Sequence, residues 1–143
     1  VVTMGRYVFS DCSALEKMYI PDSLVKMETG IFKGCRMMEK FRIKNRITEI
    51  VDSMFSGCYT LAEMIIHGAV TNVSRYAFEN CKGMQKYYFL PSNPPALGAT
   101  SAFMGISKDC KIYVPKGSLE AYQTANNWSS YASYMVEMDG DVP

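Results

Sequence analysis

"MFSGC", residues 54–58, decides the fold of this chain because it recurs. "VFSDC" stands at 8–12, "IFKGC" at 31–35 and "AFENC" at 77–81. Phe9, Phe32, Phe55 and Phe78 are each 23 residues apart, and Cys12, Cys35, Cys58 and Cys81 keep the same step. A metal, a disulfide framework, catalysis or a packing ladder could each call for such a spacing.

Stepping by 23 from other positions gives further apolar columns. They are Val1, Leu24, Ile47, Val70; Met4, Met27, Ile50, Val73; Val8, Ile31, Met54, Ala77; Leu15, Met38, Leu61, Met84; Met18, Phe41, Met64, Tyr87; and Ile20, Ile43, Ile66, Phe89. With the Phe and Cys columns, all 32 positions are apolar in a chain that is 48% hydrophobic. A constant step without insertions makes each repeat one coil of a superhelix, with equivalent side chains stacked inside a shared core. The prediction is a right-handed solenoid of short strands and turns, with one parallel sheet. Residues 1–90 form four repeats, and residues 91–143 form a final irregular coil and a C-terminal cap of the same continuous domain.

Within each unit, Met18-x-Ile20 and its equivalents alternate with period two, which reads as a short strand with two residues inward. The residue before each cysteine, Asp11, Gly34, Gly57 or Asn80, belongs to the types that tolerate left-handed backbone. A tight turn at positive φ is expected there, with the phenylalanine packed beneath it.

Stacking excludes a single zinc site, since four ladder positions span about 14 Å at one strand spacing per step, whereas zinc gathers its sulfurs at ~2.3 Å. Adjacent cysteines fall within disulfide range, but their side chains point in parallel. Five cysteines are also an odd number, unlike a disulfide scaffold. Cys12, Cys35, Cys58 and Cys81 therefore read as reduced and buried, small apolar groups with a weak donor.

After Leu90, "PSNPPALGA" breaks the period, and the repeat resumes offset by two: Phe103 follows Phe78 by 25. Gly105 takes the left-handed slot and Ile106 the cysteine slot. Cys110 falls in an outward column beside Gln85 and is expected to be the most accessible thiol. "KGSLEAYQTANNW" reads as a helix with Ser118 as N-cap, covering the open end of the core. Trp128, Tyr131 and Tyr134 complete that cover or, alternatively, form an aromatic binding patch.

Composition narrows the function. A formal net charge of +1 argues against a general nucleic-acid or anionic-membrane binder, and no apolar run approaches the ~20 residues that span a bilayer. His67 is the only histidine. Neither a G-x-S-x-G nucleophile motif nor a Gly-rich phosphate loop is present, so no enzyme, metal or cofactor is expected. The chain opens at Val1, inside a repeat and with no signal peptide, which points to a piece of something longer.

The units "LEKMYIPDSLVKMETGIFKGC" and "VSRYAFENCKGMQKYYF", with the ending "KIYVPKGSLEAYQTANNW", resemble the BspA-type leucine-rich repeat over nearly the whole chain. The sequence departs from that pattern in its many methionines and in Lys44 and His67 where Pro ends the strand. The resemblance implies a non-enzymatic surface or secreted protein of adhesin type, binding a protein or glycan, such as a host's extracellular one.

The residues placed to bind are the outward strand columns: Lys17, Lys40, Glu63, Lys86, Lys111 beside Tyr19, Arg42, Ile65, Tyr88, Tyr113. The basic and aromatic members, Lys17, Tyr19, Lys40, Arg42, Lys86, Tyr88, Lys111 and Tyr113, are the candidate ligand contacts. Ordinary solvated strand positions would also carry Lys and Tyr. In that case the array is a structural spacer holding another domain away from a surface.

Overall fold

The computed structural model describes residues 2–7, 9–11, 24–36, 38–43 and 46–140. In chain order the elements are β1 (Val2–Met4), β2 (Leu24–Met27), β3 (Lys40–Ile43), β4 (Glu49–Ile50), β5 (Glu63–Ile66), β6 (Asn72–Val73), β7 (Lys86–Phe89), β8 (Ala96–Leu97), β9 (Lys111–Val114), α1 (Leu119–Thr124) and β10 (Met135–Glu137). Short 3-10 helices lie at Thr100–Phe103 and Trp128–Tyr134.

The alternating stretches form the expected parallel sheet, in the order β10-β9-β7-β5-β3. Its register follows the repeat: Phe41 pairs with Met64, Met64 with Tyr87, and Tyr87 with Ile112. Phe41, Met64, Tyr87 and Ile112 point inward and are buried. The expectation of one sheet falls short. The column Met4, Met27, Ile50, Val73 also lies on paired strands, with β1 beside β2 and β4-β6-β8 as a second parallel ladder. Extended backbone at equivalent places in stacked coils leaves N–H and C=O groups facing each other, and they pair.

The turn side is bonded from coil to coil as well. The Phe32 N–H donates to the Met54 carbonyl at 3.0 Å, Phe55 to Ala77 at 2.8 Å and Phe78 to Ala102 at 2.8 Å. Gly34 donates to Ser56 and Gly57 to Glu79, both at 2.8 Å. Asp11, Gly34, Gly57, Asn80 and Gly105 all have positive φ, between 55° and 80°, as the sequence indicates. A second left-handed column, Tyr7, Gly30, Ser53 and Tyr76, stands four residues earlier. At Gly30 a Cβ would clash with the Tyr7 ring, so glycine there serves close approach as well as conformation.

Inside, the phenylalanines form a continuous stack. Centroid distances are 5.8 Å for Phe9–Phe32, 5.5 Å for Phe32–Phe55, 5.6 Å for Phe55–Phe78 and 5.4 Å for Phe78–Phe103, with rings within 13° of parallel. The stack ends on the cap, where Phe103 meets Trp128 at 5.6 Å and Tyr131 at 5.2 Å.

Each described ladder cysteine bonds to the coil before it. Cys35 Sγ donates to the Phe9 carbonyl (3.0 Å), Cys58 to Phe32 (3.1 Å) and Cys81 to Phe55 (3.2 Å). Cys35, Cys58 and Cys81 are buried, as expected, and Cys58 and Cys81 are free thiols; Cys12 lies outside the described residues. Burial raises the Cys81 thiol to about 12 and pushes Cys58 up too.

Cys110 contradicts its expected exposure: it is free but buried. The last coil carries one more residue between Ile106 and Cys110 and one fewer before its strand. The Cys110 N–H therefore donates to Ser107 as Met84 donates to Cys81, and Lys111 pairs with Lys86. Cys110 thus fills the slot of Leu61 and Met84 in the core.

The cap is shorter and more irregular than one helix. Ser118 precedes α1 but makes no side-chain cap bond; its Oγ donates instead to the Ser92 carbonyl at 2.8 Å. Tyr122 donates to Pro91 (2.6 Å), Asn127 to Leu97 (2.7 Å), Trp128 to Pro95 (2.7 Å), and Tyr131 to Thr100. These bonds tie down the carbonyls of the Pro-rich loop. Trp128 is buried and Tyr131 and Tyr134 are half-buried, so this group is a cover.

Candidate functional site

The strand face is built by β3, β5, β7, β9 and β10, whose register aligns the outward residues. Lys40 stands opposite Glu63, Glu63 opposite Lys86, and Lys86 opposite Lys111. In the neighbouring column Arg42, Ile65, Tyr88, Tyr113 and Val136 follow one another. Lys17 and Tyr19 lie outside the described residues.

The first column is electrostatically uneven. The Lys40 ammonium sits 2.8 Å from the Glu63 carboxylate, and that hydrogen bond, with the attraction of the charge, raises the Lys40 pKa. Glu63 is thereby engaged on the Lys40 side. Lys86 and Lys111 face each other across β7 and β9, and among the described residues neither has an ion-pair partner. Like charges directly opposite in a sheet are destabilising.

The second column is mostly apolar. Tyr88 and Tyr113 stack with centroids 5.0 Å apart and planes at 16°. Tyr88 is only 7% exposed, so little of its ring faces solvent. Strands about 4.8 Å apart bring in-register rings face to face, with Ile65 on the other side of Tyr88, so the tyrosines cover each other. Tyr113 and Ile65 are half-buried, and Arg42 is exposed. Arg42 also lines a shallow depression of about 330 Å³ with Lys40, Phe41, Glu63 and Ile65.

Val136 was not among the expected site residues. It extends the column from β10 and is 36% exposed; only the local contrast of buried Met135 and outward Val136 could have signalled it. A second missed feature follows the cysteines at the same 23-residue step. Tyr59 is exposed, with the Arg36 guanidinium 5.0 Å and the Lys82 ammonium 6.0 Å from its ring centroid.

His67 is half-buried, and its Nδ1 accepts the Ala69 N–H at 3.2 Å. Among the described residues no group of three His, Cys, Asp or Glu is placed to hold a metal ion, and no helix is long and apolar enough to cross a membrane.

The geometry matches known architecture. The chain is similar over its full length, 99%, to a leucine-rich cell surface protein from Faecalibacterium prausnitzii A2-165, with a TM-score of 0.70 and 22% identity. It is also similar to a leucine-rich repeat protein from Bacteroides ovatus, with 96% of the chain covered, a TM-score of 0.50 and 18% identity. At such identities the likeness concerns the fold. The chain spans 34% of the first protein and 45% of the second. No curated protein matches it. The family model described as BspA type leucine-rich repeat region matches residues 1–108 in six copies. The 23-residue coils, the Phe–Cys turn and the parallel sheet agree with that match, and the chain belongs to the BspA-type leucine-rich repeat family.

Proposed function

We propose that this chain is a recognition segment of a cell-surface or secreted protein, binding a protein or glycan in adhesin fashion through its strand face. The family and the F. prausnitzii cell surface protein support the location. One observation carries the binding role: Ile65, Tyr88, Tyr113 and Val136 form a continuous apolar column on the outward side of the sheet, flanked by Lys86 and Lys111. Contiguous apolar strips rimmed by charge mark interaction sites. No chemistry is assigned to the face.

A rigid spacer is the second reading, favoured by the unbroken ring stack from Phe9 to Phe103. The two are separated by binding to a panel of immobilised extracellular proteins and glycans, with wild type and Ile65→Glu compared. Glutamate at 65 removes an apolar contact of the column, and circular dichroism of the variant checks that the fold is retained. Loss of binding in the variant supports the strand face. Equal binding moves the site elsewhere, and no binding by either protein at high concentration supports the spacer.

A further inference from the structure

The tyrosines and lysines of the strand face restrict the partner further, on the reading that this face is the binding surface. Sugars stack on open aromatic faces, but here the Tyr88 and Tyr113 rings lie against each other at 5.0 Å and 16°. Tyr88 is 7% exposed, so little of its ring is available as a platform. The face instead offers two parallel strips: an apolar one through Ile65, Tyr113 and Val136, and a cationic one at Lys86 and Lys111.

The cationic strip is unmatched. Lys86 and Lys111 are in register on adjacent strands, and no carboxylate among the described residues pairs with either. The Lys40–Glu63 pair in the same column shows the arrangement that compensates such a position. An anion from outside would relieve the repulsion between the two ammonium groups.

The geometry points to an acidic segment of a partner protein as the occupant, with carboxylates on Lys86 and Lys111 and apolar side chains on Ile65, Tyr113 and Val136. A polypeptide presents both chemistries at side-chain spacing, whereas a sulfated glycan carries no aliphatic side chains to pack along Ile65 and Val136. Long polyanions also require a broad basic field, and this chain has a formal net charge of +1.

Fluorescence anisotropy tests this with a labelled peptide of alternating Glu and Leu, the same peptide with Lys for Glu, and a heparin oligosaccharide. The acidic peptide is expected to bind and the basic one not to. The Lys86→Ala/Lys111→Ala double variant is expected to weaken acidic-peptide binding at least tenfold, with a circular dichroism melt no lower than wild type. Unchanged binding by that variant, or no binding of the acidic peptide, overturns the proposal. Heparin binding that the double variant abolishes also overturns it, in favour of a sulfated glycan, and leaves the strand face standing. If no probe binds, the Ile65→Glu panel comparison separates the failures: a loss there rejects only the acidic partner, and no change rejects the face as well.

Discussion

Cys58 Sγ lies 3.1 Å from the carbonyl oxygen of Phe32, in the coil before its own. That carbonyl also accepts the N–H of Cys35, three residues on, at 3.1 Å. The two repeating residues of the motif thus hold each other across the stack, with the ring as packing and the thiol as a weak donor. The same contact recurs at Cys35–Phe9 and Cys81–Phe55.

Thiol ionisation follows from this burial. Loss of solvation raises the Cys81 and Cys110 thiols from the usual 9.0 to about 12 in the folded chain. A raised folded-state value means that the unfolded chain ionises first as pH rises. Stability is therefore full below pH 9 and falls between about 9 and 12. Thermal melts from pH 7 to 11 should show a decline starting near 9, and a Cys81→Ala/Cys110→Ala variant should show a shallower one. Native protein should react slowly with a thiol reagent at Cys35, Cys58, Cys81 and Cys110, and rapidly once unfolded.

The cap depends on Trp128, which is buried against Phe89 at 4.9 Å and Phe103 at 5.6 Å and donates to Pro95. Trp128→Ala should cost about 3–5 kcal/mol. As the only tryptophan, it also reports directly: native emission should be blue-shifted and move to the red on unfolding. Exposed emission in the native state would contradict its role as the end of the core.

Burial separates two residues of the outward column. Arg42 is exposed and Tyr88 is covered. Arg42→Ala should cost less than Tyr88→Ala, which should cost on the order of 2 kcal/mol. Denaturant melts of both variants measure the difference, and equal values would mean that the Tyr88–Tyr113 stack contributes nothing.

Much of this was legible from the 23-residue step alone. The ladders, the alternating strands and the left-handed positions at Asp11, Gly34, Gly57 and Asn80 are chemical columns, visible without coordinates. The second left-handed column was not, because Tyr7, Ser53 and Tyr76 are unusual at positive φ and only Gly30 hints at it. Cys110 was misplaced because a fixed offset of 25 was carried through a coil that gains one residue and then loses one. The cover over Tyr88 is not legible, because period two gives a side of the sheet but not what a neighbouring ring covers. β10 lies beyond the cap, where no repeat points to it.

Lys111 tests the account of the strand face most directly, because there binding and stability should pull in opposite directions. Lys111→Glu replaces a like charge opposite Lys86 with an unlike one and should stabilise the fold by about 0.2–1 kcal/mol. It should also abolish binding of the acidic peptide. A melting temperature above that of wild type together with lost binding is the predicted result. Wild-type affinity, whatever the melting temperature, would contradict the assignment of this face to an acidic partner.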